Sequence, residues 1–281
     1  MAWVELLLAQ RDYSLSADDS RDLENALRGT IQLGDPSLRT LSAVYSQIGN
    51  PRLRSELEAW VGDRALAKYF DNREDGFHLG NLMGIEVGKL LSHPQAALPT
   101  MDYCFSRIDE KLVEQRAAGV VRPTVIYIPE IWNLVQKPVF RDKLNDWLKT
   151  LAKRCAAVWF DTQSLEDFVQ SGIFAAIRDN IPNRIFLPNQ NATSESLYRC
   201  YSKEFELADS QIQRIAKGTQ KRDYFIQQGS IYRMVQPRLA PAVLATLRSD
   251  MAAQIVFDKH YQNGQATPGW QTRYIAEVQN V

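Results

Sequence analysis

Residues 123–132 read PTVIYIPEIW, a β-branched apolar run from Val125 to Ile128 that delivers a single acid, Glu130, to the segment after it. The C-terminal end of a buried strand opens into the crevice where α/β proteins bind ligands. A carboxylate there is placed to polarise a water as a general base. The same residue can equally cap the helical stretch IWNLV, and the strand alone leaves both roles open. Strand ends that hold a metal and a water usually carry two consecutive acids; here the first of the two positions is Pro129.

A second strand-like run ends in WFDTQS, residues 159–164. Thr162 and Ser164 suit capping of the helix that follows. Gln163 suits that boundary too, or a place in the crevice, where glutamines orient water or sense a phosphate. GIEVGKLL, residues 84–91, offers Gly88-Lys89, but a phosphate loop needs G-x-x-x-x-G-K-[ST] so that successive N–H groups wrap the phosphates. Met83 stands at the first required glycine, and Leu90 follows the lysine without a hydroxyl. No other Gly-Lys pair occurs in the chain, so these residues contain no such loop. The basic groups of LKTLAKR and QKRDYF are either solvated helix ends or cations able to reach a neighbouring subunit's nucleotide.

Placing two strand ends side by side requires strands that alternate with helices. Residues 1–68 read as a helical bundle: Ser16 is an N-cap candidate, with Leu23, Ala26 and Leu27 at helical spacing after it. DPSLRTLSAVYSQIG and NPRLRSELEAWVGDRALAKYF each have a proline at their entry. After the polar turn FDNREDG the pattern changes. An apparent strand precedes Gly88-Lys89, and strands are expected at 124–128, 156–160 and 184–188. Between the first two, KPVFRDKLNDWLKTLAKR puts Phe140, Leu144, Trp147, Leu148 and Leu151 on one face. This alternation predicts a parallel sheet with helices packed on it, its apolar strands buried on both faces. RDYFIQQGSIYRMVQ, residues 222–236, predicts a hairpin around Gln228-Gly229-Ser230, and residues 251–281 a helical tail.

Of the 281 residues 45% are hydrophobic and 23% charged, values that exclude a disordered chain. Lys plus Arg and Asp plus Glu both number 33, so there is no global field to recruit nucleic acid. Three scattered cysteines and three histidines suggest neither a zinc site nor a disulfide framework. The start lacks the basic leader and apolar run of a signal peptide, and no window is long enough to span a bilayer. The expectation is a soluble, cytoplasmic chain.

Taken in order, FDNREDGF, GIEVGKLL, PTVIYIPEIWNLVQKPVFRDKLNDWLKTLAKR, AAVWFDTQSLEDFVQSGIF, NRIFLPN and KRDYFIQQGS resemble the C-terminal half of the conjugal-transfer and type IV secretion ATPases, the CagE/TrbE/VirB group. The resemblance runs from about residue 1 to about residue 248. It implies an α/β fold, a partial RecA-like (P-loop NTPase-type) mostly parallel sheet flanked by helices. The domain plan is then a helical section at 1–68, a core lacking the phosphate-loop strand at 69–250 and a helical tail at 251–281. Glu130 is implied as the vestigial Walker B glutamate and Gln163 as the sensor-like member of Thr-Gln-Ser. Pro129 takes the place of the magnesium-associated aspartate. Arg154 is an arginine-finger candidate displaced by one place, since Ala152-Lys153 stand where the family usually carries Arg-Lys.

For the intact family the resemblance implies ATP and magnesium, a hexamer, and other secretion-channel subunits at the cytoplasmic side of the inner membrane. For this chain it implies a truncated ATPase domain with no cofactor of its own, not hydrolysing alone. The alternatives are half of a split ATPase completed by a partner chain, and a non-enzymatic scaffold of the secretion complex. A sheet without its first strand also predicts either self-association or helices of the first 68 residues folded over the gap.

Overall fold

Ser16 organises the start of the helix Ala17–Ile31. Its hydroxyl accepts from the Asp19 N–H at 3.2 Å, while the Asp19 carboxylate accepts from the Ser16 N–H at 2.9 Å, a reciprocal cap that satisfies two otherwise orphaned donors. Thr40 and Asn50 side chains likewise cap the helices Leu41–Gln47 and Pro51–Leu57, Pro51 filling a position where no N–H is needed. With the helix Ala2–Ala9, these elements bury Leu7, Leu8, Leu23, Leu53, Leu57 and Trp60 in one cluster. Full burial of each such leucine stabilises by roughly 1.5–3 kcal/mol.

The computed structural model describes residues 1–86, 88–91, 93–262, 265–266 and 268–280; Val87, inside GIEVGKLL, lies outside them. The strand expected before Gly88 does not form. Residues 77–86 are irregular, with Leu82 and Ile85 exposed. Gly80 and Gly84 weaken any extended run there, and it gains no ladder partner among the described residues.

Beyond this segment a long helix, Pro94–Ala117, leads to strand β1 (Thr124–Ile128). The helices Ile131–Val135 and Pro138–Thr150 follow, then strand β2 (Ala156–Phe160). The two strands are parallel, in a register that sets Thr124 opposite Ala156 and Ile128 opposite Phe160. Phe140, Leu144, Trp147 and Leu151 are buried along one helix face as the spacing predicts, and Leu148 is half-buried at its margin. Phe105 of the long helix meets Phe140 and Trp147 edge-on, at ring-centroid distances of 5.4 and 4.9 Å.

One expectation about the sheet is corrected here. The described residues cover only one face, with Ile128 packed among Phe105, Ile131, Phe140 and Trp147. On the other face Val125, Tyr127 and Trp159 are 54%, 59% and 64% exposed, so a sheet buried on both sides is not what these residues build. The N-terminal helices do not fold over that face, because their apolar stripes are already spent on their own cluster.

The chain divides into two compact units, Met1–Ser164 with Ser171–Ile177, and Leu165–Gln170 with Arg178–Val281. In the second unit strand β3 (Asn183–Phe186) pairs antiparallel with β4 (Tyr224–Gln228), which pairs with β5 (Ile231–Val235). The third expected strand therefore joins the hairpin; parallel pairing among the described residues is confined to β1 and β2. The hairpin supplies a complete row of partners to β3. Gly229 turns it at φ +56°, a conformation glycine adopts without a Cβ penalty. Phe186 closes this unit's core against Tyr201, Phe205 and Phe225. The tail carries the helices Met251–His260 and Trp270–Val278, joined through a two-residue antiparallel pair, Tyr261–Gln262 with Gln265–Ala266. Among the described residues no helix is long and apolar enough to cross a membrane.

Candidate functional site

Because Ile128 and Phe160 are register partners, Pro129-Glu130 and Asp161-Thr162-Gln163 leave the parallel pair side by side. Glu130 follows in the left-handed region, at φ 49° and ψ 50°. For a residue with a Cβ this costs about 1–2 kcal/mol, so neighbouring bonds must hold it. They come from Asp161. Its Oδ1 accepts from the Glu130 N–H at 3.0 Å, and its backbone C=O accepts from the Ile131 N–H at 3.0 Å. The Tyr127 hydroxyl donates to Asp161 Oδ2. That bond, followed by burial and the nearby charges of Asp161 and Glu130, pushes the Tyr127 phenol above its ordinary range.

The Glu130 side chain makes no capping bond to the helix Ile131–Val135, although Glu130 occupies the N-cap position. Its Oε2 instead accepts from the backbone N–H of Gln163 at 3.3 Å. Gln163 is itself exposed beyond the strand end, while Thr162 turns its hydroxyl onto the Ser164 C=O at 3.1 Å.

Arg154 lies elsewhere. Its guanidinium pairs with Asp109 on the long helix, which also takes Lys143 Nζ at 2.8 Å and Trp147 Nε1 at 3.1 Å. The charged side chains of this group are 18–23% exposed, and it fastens Pro138–Thr150, the helix covering the strands, to the long helix. Pro129 is exposed and brings no side-chain oxygen to the turn. Among the described residues no three His, Cys, Asp or Glu side chains group as a metal site. At Gly88 the N–H donates to Glu86 Oε1 at 2.9 Å, so an acid already takes the donor that a phosphate would need.

Sequence reasoning brought Glu130 and Gln163 forward but passed over Asp161 and Asp109. The signal for Asp161 was in view, a carboxylate directly after a strand. Its partners, however, lie 31 and 34 positions away across the sheet.

A conjugal transfer protein TrbE from Rhizobium radiobacter is 29% identical over 270 residues, which is 95% of this chain and 32% of that protein. A protein from Sinorhizobium fredii, described as the second part of a probable conjugal transfer protein TrbE, is 30% identical over 244 residues, 86% of this chain and 35% of its own length. The chain is homologous to the TrbE and VirB4 proteins of conjugation and type IV secretion. This TrbE/VirB4 homologue spans about a third of the length of those TrbE relatives. The solved structure of VirB4 from Thermoanaerobacter pseudethanolicus superposes with a TM-score of 0.62 at 14% identity, covering 86% of this chain and 69% of that one. That match shows the fold alone, an α/β arrangement shared with the VirB4 structure. No protein-family model matches the TrbE/VirB4 homologue.

Proposed function

We propose that these residues are the portion of a conjugal-transfer or type IV secretion ATPase that carries the hydrolytic strand end, and that they do not turn over ATP unaided. The observation that carries the reading is the bond from the Gln163 N–H to the Glu130 carboxylate, at the C-terminal ends of two parallel strands. In the assembled motor Glu130 accepts the proton of the attacking water, and the exposed Gln163 side chain reports the state of the terminal phosphate. The phosphate-wrapping loop comes from outside these 281 residues, whether upstream in the same polypeptide or from a second chain. The Sinorhizobium relative, described as the second part of a TrbE protein, supports a division of this kind. Arg154, committed to Asp109, holds the covering helix; a finger role would require it to leave that carboxylate.

The family's nucleotide arrives with magnesium, which supplies charge neutralisation on the phosphates. Pro129 offers it no ligand. That same proline favours a second reading, a scaffold that has kept the fold of the motor without its turnover. In either case the partners are subunits of a secretion channel, with the chain peripheral to the inner membrane.

The test is complementation. The loop-bearing portion of a relative is mixed with this chain and phosphate release is followed. The motor reading predicts activity that Glu130→Gln abolishes and Pro129→Asp raises. Absence of activity with both wild type and Pro129→Asp would establish the scaffold instead.

A further inference from the structure

We infer that Asp161 is the positioning residue for Glu130. Three bonds converge on it: the Glu130 N–H on Oδ1, the Tyr127 hydroxyl on Oδ2, and the Ile131 N–H on its carbonyl. The first and third bracket a residue held at positive φ, and the second fixes the rotamer that makes the first possible. Tyr127 is anchored in turn by its place in β1, opposite Trp159. The carboxylate of Glu130 extends from this bracketed backbone to the Gln163 N–H. Asp161 is thus the hinge between the two strand ends, and loss of its side chain releases both the turn and the direction of the acid.

The consequence for turnover rests on the proposed ATPase reading; the positioning itself does not, and it can be measured without nucleotide. Amide NMR spectra of the full chain give the readout. With Asp161 present, Glu130→Ala moves the Gln163 amide resonance, because the carboxylate that accepted its proton is gone. In an Asp161→Ala background the same change leaves that resonance in place, because the contact is already lost. Asp161→Asn, which keeps an oxygen acceptor, restores the wild-type response in part, and Tyr127→Phe weakens it. An equal Gln163 shift on Glu130→Ala with and without the Asp161 side chain would overturn the proposal. Should Asp161→Ala not fold, as shown by collapse of the helical-section resonances, Tyr127→Phe decides it: an undiminished response there would contradict the hinge.

In the complemented assembly Asp161→Ala lowers kcat on the order of 10²-fold with KM little changed, as expected for a misdirected acid. Loss of the NMR coupling together with turnover indifferent to Glu130→Gln would refute the ATPase reading and leave the hinge standing.

Discussion

The Gln163 N–H points at the Glu130 carboxylate from 3.3 Å, joining the ends of β1 and β2 through an acid that could instead have capped its own helix. The left-handed backbone at Glu130 stands beneath a carboxylate that reaches across to the end of the neighbouring strand. The turn that does this has no aspartate at position 129 and draws its support from the neighbouring strand.

Asp109 fastens the covering helix to the long helix through Lys143, Trp147 and Arg154. Asp109→Ala leaves two cations half-buried without their shared anion, and should lower stability by about 2–3 kcal/mol, below the range for fully buried pairs. Urea unfolding checks this. A loss under about 0.5 kcal/mol would mark the group as an ordinary surface pair.

How far the sequence anticipated these features differs from one to the next. β1 and β2 were visible as short apolar runs, the Ser16 cap from its position ahead of two acids, and the hairpin from Gly229 between two strand-like segments. The partner of β3 was not visible, because a four-residue run does not encode which edge it will meet, and the hairpin's edge was there to take it. An exposed apolar face was expected only from the family resemblance, not from the strands themselves. Val125, Tyr127 and Trp159 are apolar or aromatic as a covered strand requires, yet nothing among the described residues covers them. The partners of Asp161 and Asp109 were unreadable for one reason: they are tens of residues distant, and only the sheet and the helix pair bring them near.

Asp19 is nearly inaccessible and accepts from the Ser16 N–H and hydroxyl, the Tyr13 hydroxyl and the Asn50 amide. The bond from the Ser16 N–H, then the Ser16 hydroxyl, hold its carboxyl below the ordinary aspartate value. A depressed folded value means that the stabilisation is complete above the unfolded aspartate pKa, about 3.9, and is lost as pH falls through the folded value. Asp19→Ala should cost about 2–3 kcal/mol near neutrality, from a lost cap and unpaired donors. The difference between wild-type and variant urea midpoints should shrink only below about pH 4. A difference that persists unchanged at about pH 2, well below the unfolded value, would contradict this assignment.

The uncovered face formed by Val125, Tyr127 and Trp159 predicts concentration-dependent self-association of the 281-residue chain. Trp159→Ser combined with Val125→Thr should return it toward a monomer in light scattering while leaving the fold intact. Wild type that stays monomeric at high concentration would show that the face is tolerated in water.

ATP binding to the purified chain, measured by calorimetry with and without magnesium, tests the proposed half-site most directly. A half-site that holds the hydrolytic acid but no phosphate loop predicts no binding in either condition. Micromolar, magnesium-dependent binding would contradict it, and would mean that another segment of these 281 residues cradles phosphate.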